Sequence, residues 1–396
     1  MSTERHVIFE YKLVSQRRSV LAGLACAALV FCWQWLTVHA NYQAKWNAIF
    51  CTGAELKQPP ELADEHIYLF ADSQGYDGQM YHYVAHDPFF VRGFDAYLDA
   101  PRMRYRRILV PLAAHVLALG QDRRIDAAYF AVLLAAVFLG GYWLSVYCSM
   151  LAYQPAWGLA FLLVPATLIS MDRATVDVLL VALCIAFAIC VARGSRWLLY
   201  AALVAAPLVR ETGLLLVAGY FVWLGSKRKM RQAVLYATAA LPALGWYLFV
   251  LLNTESDAFA GLSSIPFQGI AQRILTPYKY QFAAWIGAIS TVLDYIALAG
   301  ILLAVALAVR MALRREWGAT EATTYAFALL AIFLYSPGAW TEVYAFGRTL
   351  SPLLLLVGLG AFAKRNWLYA LPLALVVPRT AIQLAPQAGG ILRHFL

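Results

Sequence analysis

Long apolar runs alternate with short polar segments along most of this 396-residue chain. Most runs hold roughly 15 to 25 residues, enough for a helix to cross a hydrocarbon core about 30 Å thick. The first run is Val20–Ala40. The later runs predict further helices at about 126–150, 157–171, 175–192, 196–209, 213–225, 233–252, 284–309, 320–336, 351–363 and 367–380. The pattern predicts an all-α polytopic membrane protein with about eleven transmembrane helices.

One polar segment is long enough to fold outside the bilayer. It covers residues 41–125, directly after the first apolar run, and is called the first loop below. Its apolar stretch 105–119 could cross the membrane, but a crossing there would move a later basic cluster to the wrong side. We therefore expect an amphipathic helix at the membrane surface, with Arg104, Arg106 and Arg107 facing lipid phosphates. The whole chain, 1–396, is expected to form one transmembrane domain that carries this loop.

The composition excludes an ordinary soluble enzyme. The chain is 62% hydrophobic and 13% charged, whereas soluble domains average about 25% charged residues. The formal net charge of +9 does not indicate nucleic-acid binding, because the basic residues stand in short clusters between apolar runs. Such clusters are typical of cytoplasmic loops.

The basic clusters also predict the orientation of the chain. The segment before Val20 is basic, so we place the amino end in the cytoplasm. Counting crossings from there places the later clusters on the same side: Arg193 and Arg196; Lys227, Arg228, Lys229 and Arg231; Arg310, Arg314 and Arg315; Lys364 and Arg365. The first loop is then extracytoplasmic. The compact chain without retention signals favours a bacterial inner membrane, with the first loop in the periplasm.

A polar tetrapeptide, Arg210-Glu211-Thr212-Gly213, interrupts the apolar stretch 197–225. One continuous helix here would separate two basic clusters that should share a side of the membrane. We therefore expect two short helices that meet at the tetrapeptide. Polar residues at such a break are costly within a bilayer unless they are buried in protein or line a wet cavity. The break therefore predicts a binding site that includes Arg210 and Glu211.

Residues suited to chemistry are concentrated in one stretch of the first loop. The stretch reads Asp72-Ser-Gln-Gly-Tyr-Asp77-Gly-Gln-Met-Tyr-His82-Tyr-Val-Ala-His86-Asp87-Pro. Gly75 and Gly78 allow a tight turn that presents the carboxylate of Asp77 beside Tyr76. From Gln79 onward the pattern is helical and ends before the proline.

Two interpretations of Asp72 and Asp77 remain open at this point. They either contact a substrate at the mouth of the helix bundle or cap the short helix that follows them. A divalent ion, Mg²⁺ or Mn²⁺, held by both acids is a further alternative. His82 and His86 have the i, i+4 spacing that places two imidazoles on one helical face. The sequence offers them no clear third ligand, so we assign no metal ligands.

The order of these features resembles the GT-C superfamily of integral-membrane glycosyltransferases. An amino-terminal helix is followed by a long outer loop with an early Asp motif, and then by a fan of helices. Tyr76-Asp77-Gly78-Gln79-Met80-Tyr81 is similar to the acidic and aromatic signature of the first outer loop in such enzymes. The adjacent acid pair usual in that signature is absent, because Asp72 and Asp77 are five residues apart. The resemblance implies inverting transfer of a sugar from a polyprenyl-phosphate donor to the hydroxyl of a glycan, lipid or protein acceptor on the extracytoplasmic side.

This activity assigns expected roles to individual residues. Asp77 is the leading candidate for the general base, and Asp72 is the second catalytic candidate. Arg348 or Arg210 is expected to bind the donor phosphate. The other expected substrate-binding residues are Tyr76, Gln79, Tyr81, His82, Arg107, Asp177 and Glu211. The alternatives are that Arg210 pairs with Glu211 or another acid, and that Arg348 extends to lipid headgroups.

Two other functional classes remain open. A transporter or flippase for a lipid-linked or anionic solute would use the same buried arginine and broken helix for passage. A non-catalytic membrane subunit would use the first loop to bind a partner protein. No glycine-rich phosphate loop is present in the sequence, which argues against a nucleotide-sugar donor. The expected partners are thus a polyprenyl-phosphate-linked sugar, an acceptor and the bilayer, without nucleic acid.

Overall fold

The protein is almost entirely helical. The computed structural model describes residues 2–255, 261–280, 284–335 and 337–396, with side chains from residue 16 onward except Pro337. The α-helices are α1 Ser2–Asn41, α2 Asp77–His86, α3 Pro101–Arg106, α4 Leu109–Leu117, α5 Asp122–Met150, α6 Pro165–Arg173, α7 Asp177–Arg193, α8 Arg196–Val209, α9 Leu214–Ser226, α10 Met230–Ala237, α11 Leu241–Asn253, α12 Gln268–Leu275, α13 Ala284–Leu313, α14 Ala319–Phe333, α15 Pro337–Trp340, α16 Val343–Thr349, α17 Ser351–Ala363, α18 Leu371–Ile382 and α19 Ala385–Phe395.

Short 3₁₀ helices and one small sheet complete the secondary structure of the described residues. The 3₁₀ helices are Trp46–Phe50, Pro60–Glu65, Phe94–Tyr97, Pro155–Leu163, Glu211–Gly213, Thr238–Ala240 and Trp367–Ala370. Strands β1 (Thr52–Gly53) and β2 (Leu69–Phe70) are parallel and lie in the first loop, with Thr52 paired to Leu69. The predicted all-α class is confirmed.

The long apolar helices fit a multi-pass integral membrane protein. Four are long and apolar enough to cross a membrane, at Gln16–Asn41, Asp122–Met150, Met230–Asn253 and Ala284–Leu313. Three bent pairs raise the number to as many as seven: Pro155–Leu163 with α6, bent by 60°; α16 with α17, by 58°; and Trp367–Ile382 with α19, by 47°. The eleven predicted crossings exceed this number and stay a prediction. One predicted crossing, the run 157–171, is bent for a local reason. Pro165 lacks an N–H group and starts a new helix inside this run.

The predicted break between two short helices is confirmed. α8 ends at Val209, the segment Glu211–Gly213 forms one 3₁₀ turn, and α9 begins at Leu214. A methyl group on Gly213 would lie 2.2 Å from the carbonyl oxygen of Ala206. The two half-helices therefore approach each other as closely as a glycine allows.

Helix α1 packs against α5 and Pro155–Leu163 through small residues. The hydroxyl of Ser145 on α5 donates to that of Ser19 on α1, over 3.0 Å. A methyl group on Gly158 would lie 2.5 Å from the carbonyl oxygen of Gly141. Small residues allow membrane helices to pack closely, where dispersion contacts replace the hydrophobic effect. This packing fixes α1 and α5, the two helices between which the first loop is held.

Helix α2 is fastened to the rest of the first loop by side-chain hydrogen bonds. The backbone N–H of Gly53 donates to the side-chain oxygen of Gln79 over 3.1 Å, and the Gln79 amide donates to the Tyr83 hydroxyl over 3.2 Å. After the helix, the carboxylate of Asp87 accepts from the backbone N–H groups of Val91 and Arg92, at 2.7 and 2.9 Å. The first turn of α2, which starts at Asp77, is thereby held in place.

The two glycines of the motif serve different purposes. Gly75 has φ of +78°, as the expected tight turn requires. Gly78 is needed for space, because a methyl group there would lie 2.1 Å from the carbonyl oxygen of Arg173 and 2.9 Å from that of Phe50.

We predict that Gly78→Ala lowers the stability of the protein by about 1–3 kcal/mol, because α2 must move away from Arg173. Thermal unfolding of the purified protein in detergent measures the effect. Gly245→Ala is the matched control, since no atom lies within 4 Å of the added methyl group and the site is inside α11. The control should unfold at an equal or higher temperature. Equal melting of Gly78→Ala and the wild-type protein would contradict the close approach.

Candidate functional site

The carboxylate of Asp77 is shared by two arginines that come from distant parts of the chain. Asp77 is the first residue of α2. Its Oδ2 atom lies 2.9 Å from Nη1 of Arg104 on α3 and 2.6 Å from Nη2 of Arg348 on α16. The Asp77 side chain is 16% exposed, against 5% for Arg104 and 7% for Arg348. Asp77 is thus the most exposed of the three side chains.

Arg348 also connects this acid to the break between α8 and α9. Its Nε atom lies 3.5 Å from Oδ2 of Asp177, the first residue of α7. The other carboxylate oxygen of Asp177 is paired with Nη1 of Arg210, and Nη2 of Arg210 donates to the Thr349 hydroxyl over 2.9 Å. Arg210 therefore pairs with Asp177 rather than Glu211. Arg348 is only 6% exposed and lies among acids, so the alternative of a headgroup contact is wrong.

Arg107 joins the first loop to the helix break. Its Nε donates to the carboxylate of Glu211, with a shortest distance of 3.0 Å, and its Nη1 donates to the Tyr81 hydroxyl over 2.8 Å. The expectation that Arg104 and Arg107 face lipid phosphates is therefore wrong, because both are buried and paired with acids. Helices α3 and α4 have six and nine residues, so the 105–119 stretch forms no single spanning helix.

The charged side chains of the site are paired with one another. Three acids, Asp77, Asp177 and Glu211, stand with four arginines, Arg104, Arg107, Arg210 and Arg348. A further acid, Asp99, pairs with Arg104 but has a side chain that is 46% exposed. Burial disfavours the charged form of Asp77, yet the guanidinium groups of Arg104 and Arg348 outweigh it and hold the pKa of that carboxyl well below its usual range. Asp77 is therefore ionised at physiological pH.

Several buried donors of the site have no hydrogen-bond partner among the described residues. They include Nη1 of Arg348, Nε of Arg210 and the hydroxyl of Tyr76. The Tyr76 ring lies 5.3 Å from the guanidinium carbon of Arg348 and 6.0 Å from that of Arg173. Buried donors without partners cost about 1–3 kcal/mol each, so these groups are suited to receive an anion.

An apolar groove approaches the same residues from the side of α1. The cavity has a volume of about 210 Å³ and is lined mainly by Leu29, Val30, Trp33, Leu162, Leu168 and Met171, with Asp172 at its polar end. Asp172 pairs with Arg173 over 3.0 Å and accepts a hydrogen bond from the Tyr344 hydroxyl over 2.9 Å. Because Arg173 contacts the Tyr76 ring, the pair of Asp172 and Arg173 links the lining of the groove to the charged site.

Most of the residues predicted for the site are brought together. The members present are Tyr76, Asp77, Tyr81, Arg107, Asp177, Arg210, Glu211 and Arg348. Gln79 is used instead to hold α2 to β1, and His82 faces a different cluster on the far side of α2. Asp72 is exposed, with φ of +50°. A Mg²⁺ or Mn²⁺ ion at Asp72 and Asp77 stays a prediction that this geometry does not favour, because Asp77 is neutralised by arginines.

The sequence did not indicate Arg104 as a partner of Asp77. The one indication in the local sequence is Asp99, five residues before Arg104. Arg104 donates two hydrogen bonds to the carboxylate of Asp99, at 2.8 and 2.7 Å. That pair holds the guanidinium in a fixed orientation, with a third nitrogen directed at Asp77.

The site thus combines a partly exposed acidic side chain, which can accept a proton, with buried guanidinium donors, which can hold a phosphate. Because the arginines come from the first loop, from α16 and from the break after α8, the arrangement depends on the complete fold. Comparisons with protein-family models, curated proteins and solved structures give no match to this chain.

Proposed function

We propose that this protein is a membrane glycosyltransferase of the GT-C type that uses a polyprenyl-phosphate-linked sugar. The observation that carries the proposal is the shared contact of Asp77 with Arg104 and Arg348. A transfer of this kind needs a base beside the acceptor hydroxyl and positive charge where the phosphate departs. Here the candidate base and the positive charge are in contact, because Oδ2 of Asp77 lies against the guanidinium groups of both arginines.

The proposed reaction is a single displacement. The acceptor hydroxyl oxygen attacks the anomeric carbon, and the bond from that carbon to the phosphate oxygen breaks. The electron pair of the broken bond stays on the phosphate, which leaves as polyprenyl phosphate. Asp77 takes the proton of the acceptor hydroxyl, and the configuration at the anomeric carbon is inverted.

Arg348 connects donor binding with the basicity of Asp77. A donor phosphate that reaches the unpartnered Nη1 of Arg348 competes with Asp77 for the same guanidinium. As Arg348 turns to the phosphate, Asp77 keeps Arg104 and loses one of the two cations that hold its pKa low. The carboxylate then becomes a stronger base when the donor is bound.

The apolar groove supports a lipid-linked donor. It lies beside α1, which has the length and hydropathy of a membrane span, so its leucine-rich wall would face the level of the acyl chains. An isoprenoid tail in this groove would bring its phosphate towards Arg173 and Tyr76. A water-soluble nucleotide sugar has no long apolar group to place against such a wall.

The proposal is tested by supplying the purified protein with radiolabelled polyprenyl-phosphate sugars and a membrane extract as the acceptor. We expect acceptor-dependent release of polyprenyl phosphate and a labelled product that survives organic extraction. Donors that stay intact with every acceptor fraction would contradict the assignment.

Transport of a lipid-linked solute is the second candidate, and the broken helices favour it. α8 and α9 meet at the charged site, and α16 and α17 are bent by 58° beside Arg348. Discontinuous helices with charged residues at the break are typical of transporter binding sites. Counterflow of labelled donor in proteoliposomes, without a covalent product, would identify a transporter.

A further inference from the structure

A second cluster of polar side chains lies on the opposite side of α2 from Asp77. It consists of Glu65, His82, His86 and Asp126, which come from the 3₁₀ helix Pro60–Glu65, from α2 and from α5. We infer that these four side chains bind a divalent transition-metal ion, and that their donor set selects zinc. The inference is independent of the proposed transferase activity.

The spacing of the ligand atoms fits one central ion. One ligand atom from each of the four residues lies within 4.8 Å of the others. Nε2 of His82 is 3.1 Å from Nε2 of His86 and 2.7 Å from Oδ1 of Asp126. Two tetrahedral ligands at about 2.0–2.1 Å from zinc are themselves about 3.3 Å apart. Small side-chain movements would therefore complete the coordination.

Burial requires that the charge of Glu65 be compensated, by a cation or by a proton. The Glu65 side chain is only 11% exposed, and neither of its oxygens has a hydrogen-bond partner among the described residues. Those oxygens lie 3.5 and 3.9 Å from the two imidazole nitrogens. A buried carboxylate without donors is unfavourable unless a cation compensates it. Zinc would satisfy both carboxylates and both imidazoles at once.

The surroundings of His86 orient it as a metal ligand, whereas the buried Nδ1 of His82 has no hydrogen-bond partner among the described residues. Nδ1 of His86 lies 2.7 Å from Oδ1 of Asp122, and the same oxygen accepts from Nη1 of Arg92 over 2.7 Å. A histidine that binds a metal with one nitrogen usually gives the other to a carboxylate or carbonyl. The ring of Phe50 stacks on that of His82, with centroids 4.0 Å apart. The hydrogen bond to Asp122 thus holds Nε2 of His86 towards the centre of the cluster, and stacking on Phe50 restricts the His82 ring.

The donor set identifies the class of ion and its role. Mg²⁺ and Ca²⁺ prefer oxygen ligands, whereas imidazole nitrogen suits zinc and its neighbours. Four protein ligands complete a tetrahedral site and leave no position for a substrate, as in structural zinc sites. His82 is five residues from Asp77, about 7.5 Å along the helix. The ion would therefore hold α2 to α5 and position Asp77 without taking part in chemistry.

Metal analysis of the purified protein, made with a tag that lacks histidine and grown with added zinc, tests the inference. We expect about one zinc per chain in the wild-type protein. Co²⁺ exchanged into the site should give the intense visible absorption of a tetrahedral ion. A wild-type protein that is free of metal and does not bind added Zn²⁺ would overturn the inference.

Conservative variants show which residues hold the ion. Glu65→Gln and Asp126→Asn change little besides charge and should weaken zinc binding at least about tenfold, and Asp122→Asn about 10–100-fold. Asp64→Asn and His66→Asn are matched controls, because both residues are exposed neighbours of Glu65. They should keep the metal. Zinc binding that is equal in Glu65→Gln, Asp126→Asn and the controls would refute the site.

Melting with and without a chelator distinguishes a bound ion from direct contacts between the four side chains that stabilise the fold without a metal. EDTA should lower the melting temperature of the wild-type protein and of Asp64→Asn, and lower that of Glu65→Gln by less. Melting of all three proteins that is insensitive to EDTA and to added Zn²⁺ would count against the inference. These measurements do not use sugar transfer, so a failure of the proposed function leaves them interpretable.

Discussion

Replacing Asp77 by Asn is expected to reduce the rate of sugar transfer by about 10²–10⁴-fold, the usual contribution of a positioned general base. The amide keeps the shape of the carboxylate and loses its ability to accept a proton. The fold should persist, because each arginine keeps another acid. Arg104 retains Asp99, and Arg348 retains Asp177.

The matched control for this prediction is Asp72→Asn. Asp72 lies in the same motif but is exposed, and its left-handed backbone is one that Asn adopts readily. Turnover per folded molecule, with folding checked by thermal unfolding, should fall in Asp77→Asn and stay near the wild-type value in Asp72→Asn. Unchanged turnover in Asp77→Asn would remove this residue from the mechanism. An equal loss in Asp72→Asn, with folding intact, would return Asp72 to the mechanism as a second catalytic residue.

The helices could be predicted wherever local sequence decides their limits. The bounds 196–209 and 351–363 match α8 and α17, and the break after Val209 was expected from one polar tetrapeptide. The hydropathy pattern does not predict the bends, because it is the same for a straight and for a folded-back helix. Pro165 is the local residue that marks one of them. The run 157–171 is the example: it becomes a 3₁₀ helix and α6 at an angle of 60°.

The site was partly predictable, because a charged residue inside an apolar run is rare and stands out. Asp177, Arg210 and Arg348 were found in this way. Their partners were not, since an ion pair between distant residues leaves no mark in local spacing. Arg107 and Glu211 are 104 residues apart. From sequence alone, an arginine beside an amphipathic helix indicates contact with lipid headgroups. That such an arginine is buried against acids is decided by the tertiary fold.

The same reason explains why no metal ligands were assigned. His82 and His86 were recognised as a pair on one helical face. Asp126 lies 44 residues from His82 in the chain, and Glu65 lies in a segment without a helical pattern of its own. The ligands meet only because α1 and α5 hold both ends of the first loop together.

The second large effect is expected at Arg348. Arg348→Gln should lower kcat by about 10²–10³-fold, as removal of a donor that stabilises a developing anion does. Negative charge grows on the phosphate as the bond to the sugar breaks, so the guanidinium contributes more in the transition state than in the bound donor. The fold should persist, because Asp77 keeps Arg104 and Asp177 keeps Arg210. Arg348→Lys keeps the positive charge but not the planar guanidinium, so its kcat should lie between those of the wild-type protein and Arg348→Gln.

A change of leaving group separates phosphate stabilisation from a structural role of Arg348. A sugar linked through polyprenyl diphosphate departs with less need for a cation, so Arg348→Gln should lose less activity with that donor than with the monophosphate. Arg196→Gln is the control, since this arginine is exposed at the start of α8, about 20 Å along the helix from Arg210. A structural defect would reduce the rates with both donors by the same factor. Only a guanidinium that bears on the departing phosphate predicts that the two losses differ.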